Sequence, residues 1–295
     1  MRTAHVRGSQ LLLTALRLLA NYSYGNDRAK TSLLTSSLSA PGGDKTPTLL
    51  SLLLSLASNR GEVTPSQPRF AGSGDAVSSA GDVKASNTAC QVLKSVLLNA
   101  DCVLAAVKAG WITKLVDVAQ ERLKQATQTS KTDRLEAENL AHLLSVLGSI
   151  ACSEEGARVL YSSCATVLPL MLEDVMQSSE VAVRRNGCWF LRNLALSKAT
   201  KSHFAVWEAL LDVTVTTCVR ENESATLDDS TTLRSLTAAL WSLVYDNQKA
   251  RALLLSKPAA LRSLQHVLAS RRSDKSPSSQ EVVENLQRVL LLVQE

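Results

Sequence analysis

A short phrase that recurs five times along the chain limits the folds that are open to it. Each copy has an apolar residue, any residue, a small polar residue and a second apolar residue, in a segment with helical spacing of apolar positions. The polar residues are Asn21, Ser95, Ser149, Asn193 and Ser242. Their positions differ by 74, 54, 44 and 49 residues, and a period of this length predicts helical units that stack on their neighbours.

The composition also favours helices over sheets. Only 4 % of the residues are aromatic, and no stretch shows the sustained alternation that half-buried strands need. The last three intervals resemble the unit length of armadillo and HEAT repeats. The run from Val107 to Ile112, with Gly110 between two helical segments, resembles the sharp turn inside an armadillo unit. We therefore predict an all-α, armadillo/HEAT-like helical solenoid.

The pattern divides the chain into three parts. Residues 1–58 hold the first copy of the phrase and form an N-terminal helical repeat segment. Residues 59–84 are rich in Ser, Gly and Pro, which predicts a flexible insertion that lengthens the first interval and is cut first by proteases. Residues 85–295 form the regular repeats, with predicted helices over 85–99, 165–177 and 206–220. The last predicted helix, over 281–293, has a polar side suited to capping the stack.

Net charge argues against a nucleic-acid partner. The chain carries 32 basic and 27 acidic residues, a balance of +5, and the basic residues are spread rather than gathered into a stripe. The pairs Arg184–Arg185 and Arg271–Arg272 are predicted to be solvated charges on helix faces or loops. No run of eighteen apolar residues occurs, so no membrane insertion is predicted. The N-terminal arginines without acidic residues leave a mitochondrial transit peptide as an alternative.

No metal, cofactor or catalytic site is predicted. Neither a phosphate-binding loop nor a nucleophile or metalloprotease motif occurs, and the four histidines lie far apart. The cysteines fall at apolar positions of helical segments without a C-x-x-C pair, so we interpret them as small core residues in a reducing compartment. They are Cys90, Cys102, Cys152, Cys164, Cys188 and Cys218. The sequence therefore favours a binding protein over an enzyme.

The phrase itself supplies the candidate binding residues. In armadillo-like units, an Asn or Ser on the groove-lining helix can hydrogen-bond to the backbone of an extended peptide. Trp189 precedes Asn193 by four residues, so both are expected on one helix face, partly exposed. This pair resembles the peptide-binding element of nuclear-import adaptors but occurs once, and packing of Trp189 against adjacent helices is the alternative. The candidate partner-groove residues are Trp189, Asn193, Ser149, Ser242 and Ser95.

The last third of the chain carries a more particular resemblance. The runs from Phe190 to Leu196 and from Ala239 to Arg251 resemble the C-terminal armadillo-like region of the rotatin family. The resemblance covers about 185–264. It implies a non-enzymatic scaffold with centriolar or ciliary protein partners, in the cytoplasm at the centrosome and cilium basal body, acting in centriole assembly and cilium formation. It implies no catalytic residue. The alternative function is a peptide-binding adaptor of the nuclear-import or catenin type.

Overall fold

The chain folds into helices that stack in two compact units. A computed structural model describes residues 2–35, 48–58, 80–128, 134–205, 207–224 and 230–294, and no β-strand occurs among them. The units are Met1–Val146 and Leu147–Glu295. The predicted all-α, armadillo-like solenoid is confirmed as the fold class. Most of the predicted insertion, residues 59–79, lies outside the described residues.

The described residues of unit 1 form six helices and most of a seventh. They are α1 (Arg2–Ser23), α2 (Asp27–Thr35), α3 (Leu49–Ser58), α4 (Ala80–Val96), α5 (Ala100–Lys108), α6 (Trp111–Gln128) and α7 (Arg134–Ala151). A longer helix alternates with a pair of mostly shorter ones. The longer helices α1 and α4 pack against each other, and α3 packs against both α4 and α6. Repetition of this arrangement buries one apolar stripe of each helix.

Unit 2 begins inside α7 and continues the same alternation. Its helices are α8 (Glu154–Cys164), α9 (Leu168–Gln177), α10 (Val181–Leu196), α11 (Lys201–Phe204), α12 (Glu208–Ser224), α13 (Ser230–Val244), α14 (Gln248–Leu255), α15 (Pro258–Arg271) and α16 (Pro277–Gln294). Two rows of contacts run along the unit. The longer helices α10, α13 and α16 pack in succession, and so do α9, α12 and α15.

Helices that carry a copy of the phrase, called here the phrase helices, recur in every third place as α1, α4, α7, α10 and α13. Local signals set the breaks between helices. Asn99 accepts hydrogen bonds from the first backbone amides of α5, and Ser153 caps α8 in the same way. Gly110 has a φ of 70° between α5 and α6, a conformation that glycine adopts at little cost.

Some helix bounds differ from the sequence prediction. The first regular helix, α4, begins at Ala80 rather than at residue 85, so the predicted insertion is shorter than 59–84. The helix α9 begins at Leu168 rather than 165, with Pro169 in its first turn. The last helix begins at Pro277 rather than 281, because proline suits the first turn of a helix, where its missing N–H has no partner to lose.

Two of the basic residues predicted to be solvated are buried instead. Arg184 Nε donates to Glu221 Oε1 at 2.7 Å, and its guanidinium also donates to the backbone oxygens of Ser178 and Ser179. Arg271 Nε donates to Asn222 Oδ1 at 2.7 Å. Both arginines lie at helix positions that face a neighbouring helix. Each guanidinium satisfies backbone or side-chain acceptors there, which is the condition for burying a charge.

Candidate partner-binding face

The polar residues of the phrase connect successive phrase helices. Ser95 Oγ donates to the backbone oxygen of Ser23 at 3.4 Å, which joins α4 to α1. Asn193 Nδ2 donates to the backbone oxygen of Gly148 at 3.0 Å. Each acceptor lies in the last turn of the preceding phrase helix, where carbonyl groups lack a partner within their own helix.

Ser242 repeats the same connection one repeat later. Its Oγ donates to the backbone oxygen of Ala195 at 2.6 Å, and Ala195 lies in the last turn of α10. Ser149, on α7, is fully buried. Three of the five polar positions therefore hold one helix to the end of the previous one, and this structural role explains why a small polar residue recurs there.

The expected exposure of Asn193 is wrong. Asn193 is only 7 % exposed, because its side chain turns toward α7, where its amide also lies 3.2 Å from Cys152 Sγ. Ser242 is buried as well, and Ser95 is half-buried. A peptide-binding role for these five candidates stays a prediction, but the hydrogen-bonding atoms of Ser95, Asn193 and Ser242 already have backbone partners in the chain.

Trp189 is half-buried and lies on a glycine of the preceding phrase helix. A Cβ added at Gly148 would collide with two ring carbons of Trp189. The indole therefore occupies the space that any side chain at Gly148 would need. The packing alternative and the groove alternative both apply to Trp189, since one part of the residue is covered and another part remains exposed.

Matching residues on α10 and α13 share one register, and all of them except the buried Ala238 are at least partly exposed. On each helix they lie at i, i+4, i+7 and i+11, the spacing of one helix face. The two sets are offset by 49 residues, the same interval that separates Asn193 from Ser242. We call this set the α10–α13 row. Its members are Arg185, Trp189, Arg192 and Leu196 on α10, and Arg234, Ala238, Trp241 and Tyr245 on α13.

The row combines aromatic surface with positive charge. The Arg288 guanidinium of α16 lies 5.2 Å from the Trp241 ring, and the Tyr245 ring lies 5.7 Å from that of Trp241. Lys201 Nζ stands 5.4 Å from the Tyr245 ring. Contacts of this kind hold cations over aromatic faces, and Tyr245 and Leu196 are about half exposed. Every charged residue of the row is an arginine.

One acidic residue offsets part of this charge. Glu281 of α16 lies 2.9 Å from Arg234 Nε. Partial burial raises the pKa of the Cys152 thiol, and Arg192 of α10 offsets part of that rise.

The cysteines other than Cys152 are buried, which agrees with their interpretation as core residues. Burial raises the pKa of Cys90 to about 12 and is the main cause of the rise to about 11 for Cys102. Cys188 and Cys218 shift in the same direction for the same reason. Within the described ranges no cluster of His, Cys, Asp and Glu is arranged to hold a metal ion. No single helix in those ranges is long and apolar enough to cross a membrane.

Solved structures show what this arrangement resembles. A designed armadillo repeat protein aligns with 96 % of this chain and 94 % of its own, at a TM-score of 0.63 and 16 % identity. The fold is that of armadillo repeat proteins. An engineered protein aligns with 97 % of this chain and 91 % of its own length, at a TM-score of 0.64 and 18 % identity. A designed armadillo repeat protein in complex with the peptide (KR)4 aligns with 94 % of this chain and 92 % of its own length, at a TM-score of 0.61 and 14 % identity.

Comparison by sequence gives no further assignment, because no family and no curated protein matches. In this armadillo-like array the sequence prediction found Trp189 but missed Arg185, Arg192, Arg234 and Tyr245 as members of a common face. The signal that could have found them is the 49-residue offset applied to every position of the helix rather than to the phrase alone.

Proposed function

We propose that the chain is a protein-binding scaffold that acts by binding rather than by catalysis, and that the α10–α13 row binds an acidic, extended segment of its partner. The observation that carries this proposal is the matched register of aromatic and arginine side chains, exposed or half-buried, on two successive helices. Armadillo-type solved structures, one of them in complex with a peptide, support a binding role. That peptide, (KR)4, is basic, whereas the charged residues of this row are arginines, so the complementary partner is acidic.

A pair of synthetic peptides tests the charge preference. An eight-residue peptide of alternating Asp and Glu should bind the chain, and (KR)4 should bind much more weakly. Substitution R192E should weaken binding of the acidic peptide by roughly tenfold, with an effect that shrinks at high salt. The control R262E changes an exposed arginine on α15 and should leave binding unchanged. Equal binding of both peptides would contradict the proposal.

We further propose that the partners are centriolar or ciliary proteins and that the chain acts in the cytoplasm at the centrosome and basal body. The support is the resemblance of residues 190–196 and 239–251 to the rotatin family. These residues fall on the ends of α10 and α13 and on α14, beside the proposed binding face. Proximity labelling in ciliated cells tests this assignment. Enrichment of centriolar proteins is expected, and enrichment of transport receptors or junction proteins instead would favour the nuclear-import or catenin alternative.

A further inference from the structure

Two aromatic side chains of α13 and the turn after it lie between two cations of neighbouring helices. The Trp241 and Tyr245 ring centroids are 5.7 Å apart. The Arg288 guanidinium of α16 lies 5.2 Å from the Trp241 ring, and Lys201 Nζ of α11 lies 5.4 Å from the Tyr245 ring. We call these four residues the cation–aromatic track. Each spacing falls in the range in which aromatic pairs and cation–π pairs attract each other.

The track is open although α13 has a packed neighbour on each side. The helices α10 and α16 both pack on α13, and α11 contacts it as well. Tyr245 is 52 % exposed, the Arg288 side chain is 51 % exposed, and Trp241 and Lys201 are half-buried. The aromatic surface therefore remains exposed after the repeats on both sides have stacked on α13. The undescribed residues 225–229 precede the N-terminal end of α13, whereas Tyr245 follows its C-terminal end.

Both cations remain able to bind a further carboxylate. Lys201 Nζ donates to the Tyr245 backbone oxygen at 3.4 Å, which uses one of its three donors. Arg288 lies 3.6 Å from Glu284, whose side chain is 63 % exposed. An exposed ion pair of this kind contributes little to stability, so a carboxylate of a partner can replace Glu284. Because the cations already hold the two rings, ordering these side chains on binding costs little entropy.

We infer that the cation–aromatic track selects an extended segment with the order acidic, any, large apolar, any, acidic. This inference rests on the proposed function, to which it adds an apolar residue and a spacing. The apolar side chain packs on the Trp241–Tyr245 pair, and the two carboxylates contact Arg288 and Lys201. Trp, Tyr and Arg are the residues that most often dominate the binding energy of an interface.

The geometry of an extended backbone sets the spacing. Residues i, i+2 and i+4 of such a segment lie on one face, about 6.7 Å apart. The midpoint of the Trp241–Tyr245 pair lies within about 8 Å of either cation, a difference that an acidic side chain spans. An apolar residue at i+1 would face away from the rings. A basic residue at i or i+4 would meet Arg288 or Lys201 as a like charge.

Two fluorescent peptides of equal composition test the inference on the full chain. The probe is Gly-Ser-Glu-Ser-Phe-Ser-Glu-Ser-Gly. The comparator, Gly-Ser-Glu-Phe-Ser-Ser-Glu-Ser-Gly, keeps both carboxylates in place and moves the phenylalanine to the other face. Fluorescence anisotropy should show that the native chain binds the probe at least about tenfold more tightly than the comparator, or by 1.4 kcal/mol.

Variants of the track separate its aromatic and charged parts. Substitution Y245A should remove most of the preference for the probe while binding the comparator as the native chain does, which shows that the variant is folded. Y245F keeps the ring and should keep the preference. K201Q should weaken both peptides alike, because their carboxylates occupy the same positions. The matched control Y22A alters a tyrosine of similar exposure on α1 and should change neither affinity.

Three results would overturn the inference. The first is equal binding of probe and comparator by the native chain. If the eight-residue acidic peptide still binds in that case, the inference fails and the proposed function stands, whereas an absence of binding by every acidic peptide would contradict both. The second is a preference that Y245A leaves unchanged. The third is concentration-dependent dimerisation that Y245A abolishes, observed by sedimentation velocity, because this would place a second copy on the track.

Discussion

At the scale of single residues, the phrase acts as a set of hydrogen bonds between repeats. A carbonyl in the last turn of a helix has no acceptor role inside that helix, and water is excluded where the next helix covers it. Asn193 satisfies one such carbonyl across the interface and is itself buried. The residue that was expected to bind a peptide backbone thus binds the chain's own backbone.

Removing this hydrogen bond should be costly. We expect N193A to lower the free energy of unfolding by about 1–3 kcal/mol, since the Gly148 carbonyl is left buried without its partner. Denaturant titration measures the change. The control N186A removes an asparagine of the same helix whose described hydrogen bond runs to the Ala182 carbonyl within that helix, and it should cost less than about 0.5 kcal/mol. Equal losses for both variants would contradict the role given to Asn193.

Gly148 and Trp189 should show coupled effects. A methyl group at Gly148 collides with the Trp189 ring, at a cost of about 1–3 kcal/mol, whereas alanine itself favours a helix over glycine by about 1 kcal/mol. We therefore expect G148A to destabilise the native chain but to stabilise W189A. Thermal melts of the four members of this cycle measure the coupling, and additive effects would show that the ring does not rest on Gly148.

At the scale of helices, short-range signals placed most of the breaks. The caps at Asn99 and Ser153 and the turn at Gly110 can be predicted from the local sequence. Asn99 and Ser153 accept hydrogen bonds from backbone amides at the start of a helix, and Gly110 adopts a positive φ. What the sequence could not reveal was the direction in which a phrase residue points. Helical periodicity shows that Trp189 and Asn193 share a face, but a rotation of about 100° per residue separates groove-facing from neighbour-facing positions. Only the position of α7 decides between them.

The junction between α5 and α6 offers a test at this scale. We expect G110A to lower the free energy of unfolding by about 1 kcal/mol, because alanine is strained at a φ of 70°. The variant G110N should lose less, since asparagine tolerates this conformation better than alanine does. Denaturant titration of the two variants provides the comparison. A smaller loss for alanine than for asparagine would show that the turn changes conformation.

At the scale of the whole molecule, the repeat period predicted the solenoid fold class. It did not predict which charged residues are buried. Arg184 lies in a run that reads as a solvated basic pair, and its partner Glu221 is 37 residues away. A period cannot predict such a pairing because the two residues belong to different positions of the repeat. Five of the six cysteines were predicted correctly as core residues, whereas the prediction is wrong for Cys152, which follows the end of α7 and is exposed.

Thiol reactivity tests which of the cysteines are buried. We expect the thiol of Cys152 to react with a disulfide reagent in the native protein, slowly because its pKa is raised, and the other five to react only on unfolding. The control C152A should lose the reaction of the native protein and keep those that need unfolding. Reaction of a second thiol in the native protein would show that a described helix opens readily.

Stability should also fall at alkaline pH. Burial raises the pKa of Cys90 from 9.0 to about 12, so the unfolded state releases its proton first. The contribution of this thiol is complete below pH 9 and is lost as the pH rises toward 12. The variant C90A should therefore lose less stability than the native chain between about pH 9 and 11. Denaturant titrations across that range measure the difference, and identical pH profiles would contradict the assignment.

The hydrogen bonds that Ser95, Asn193 and Ser242 make between phrase helices point backward along the chain, from a later donor to an earlier acceptor. A ribosome makes the acceptor before the donor in every case, and N-terminal parts of a protein fold first during synthesis. When a new repeat emerges, the helix before it has therefore already been made, and the last turn of that helix offers a carbonyl acceptor. Assembly of the stack can proceed in step with translation, because no repeat has to wait for a later one to satisfy its own phrase residue.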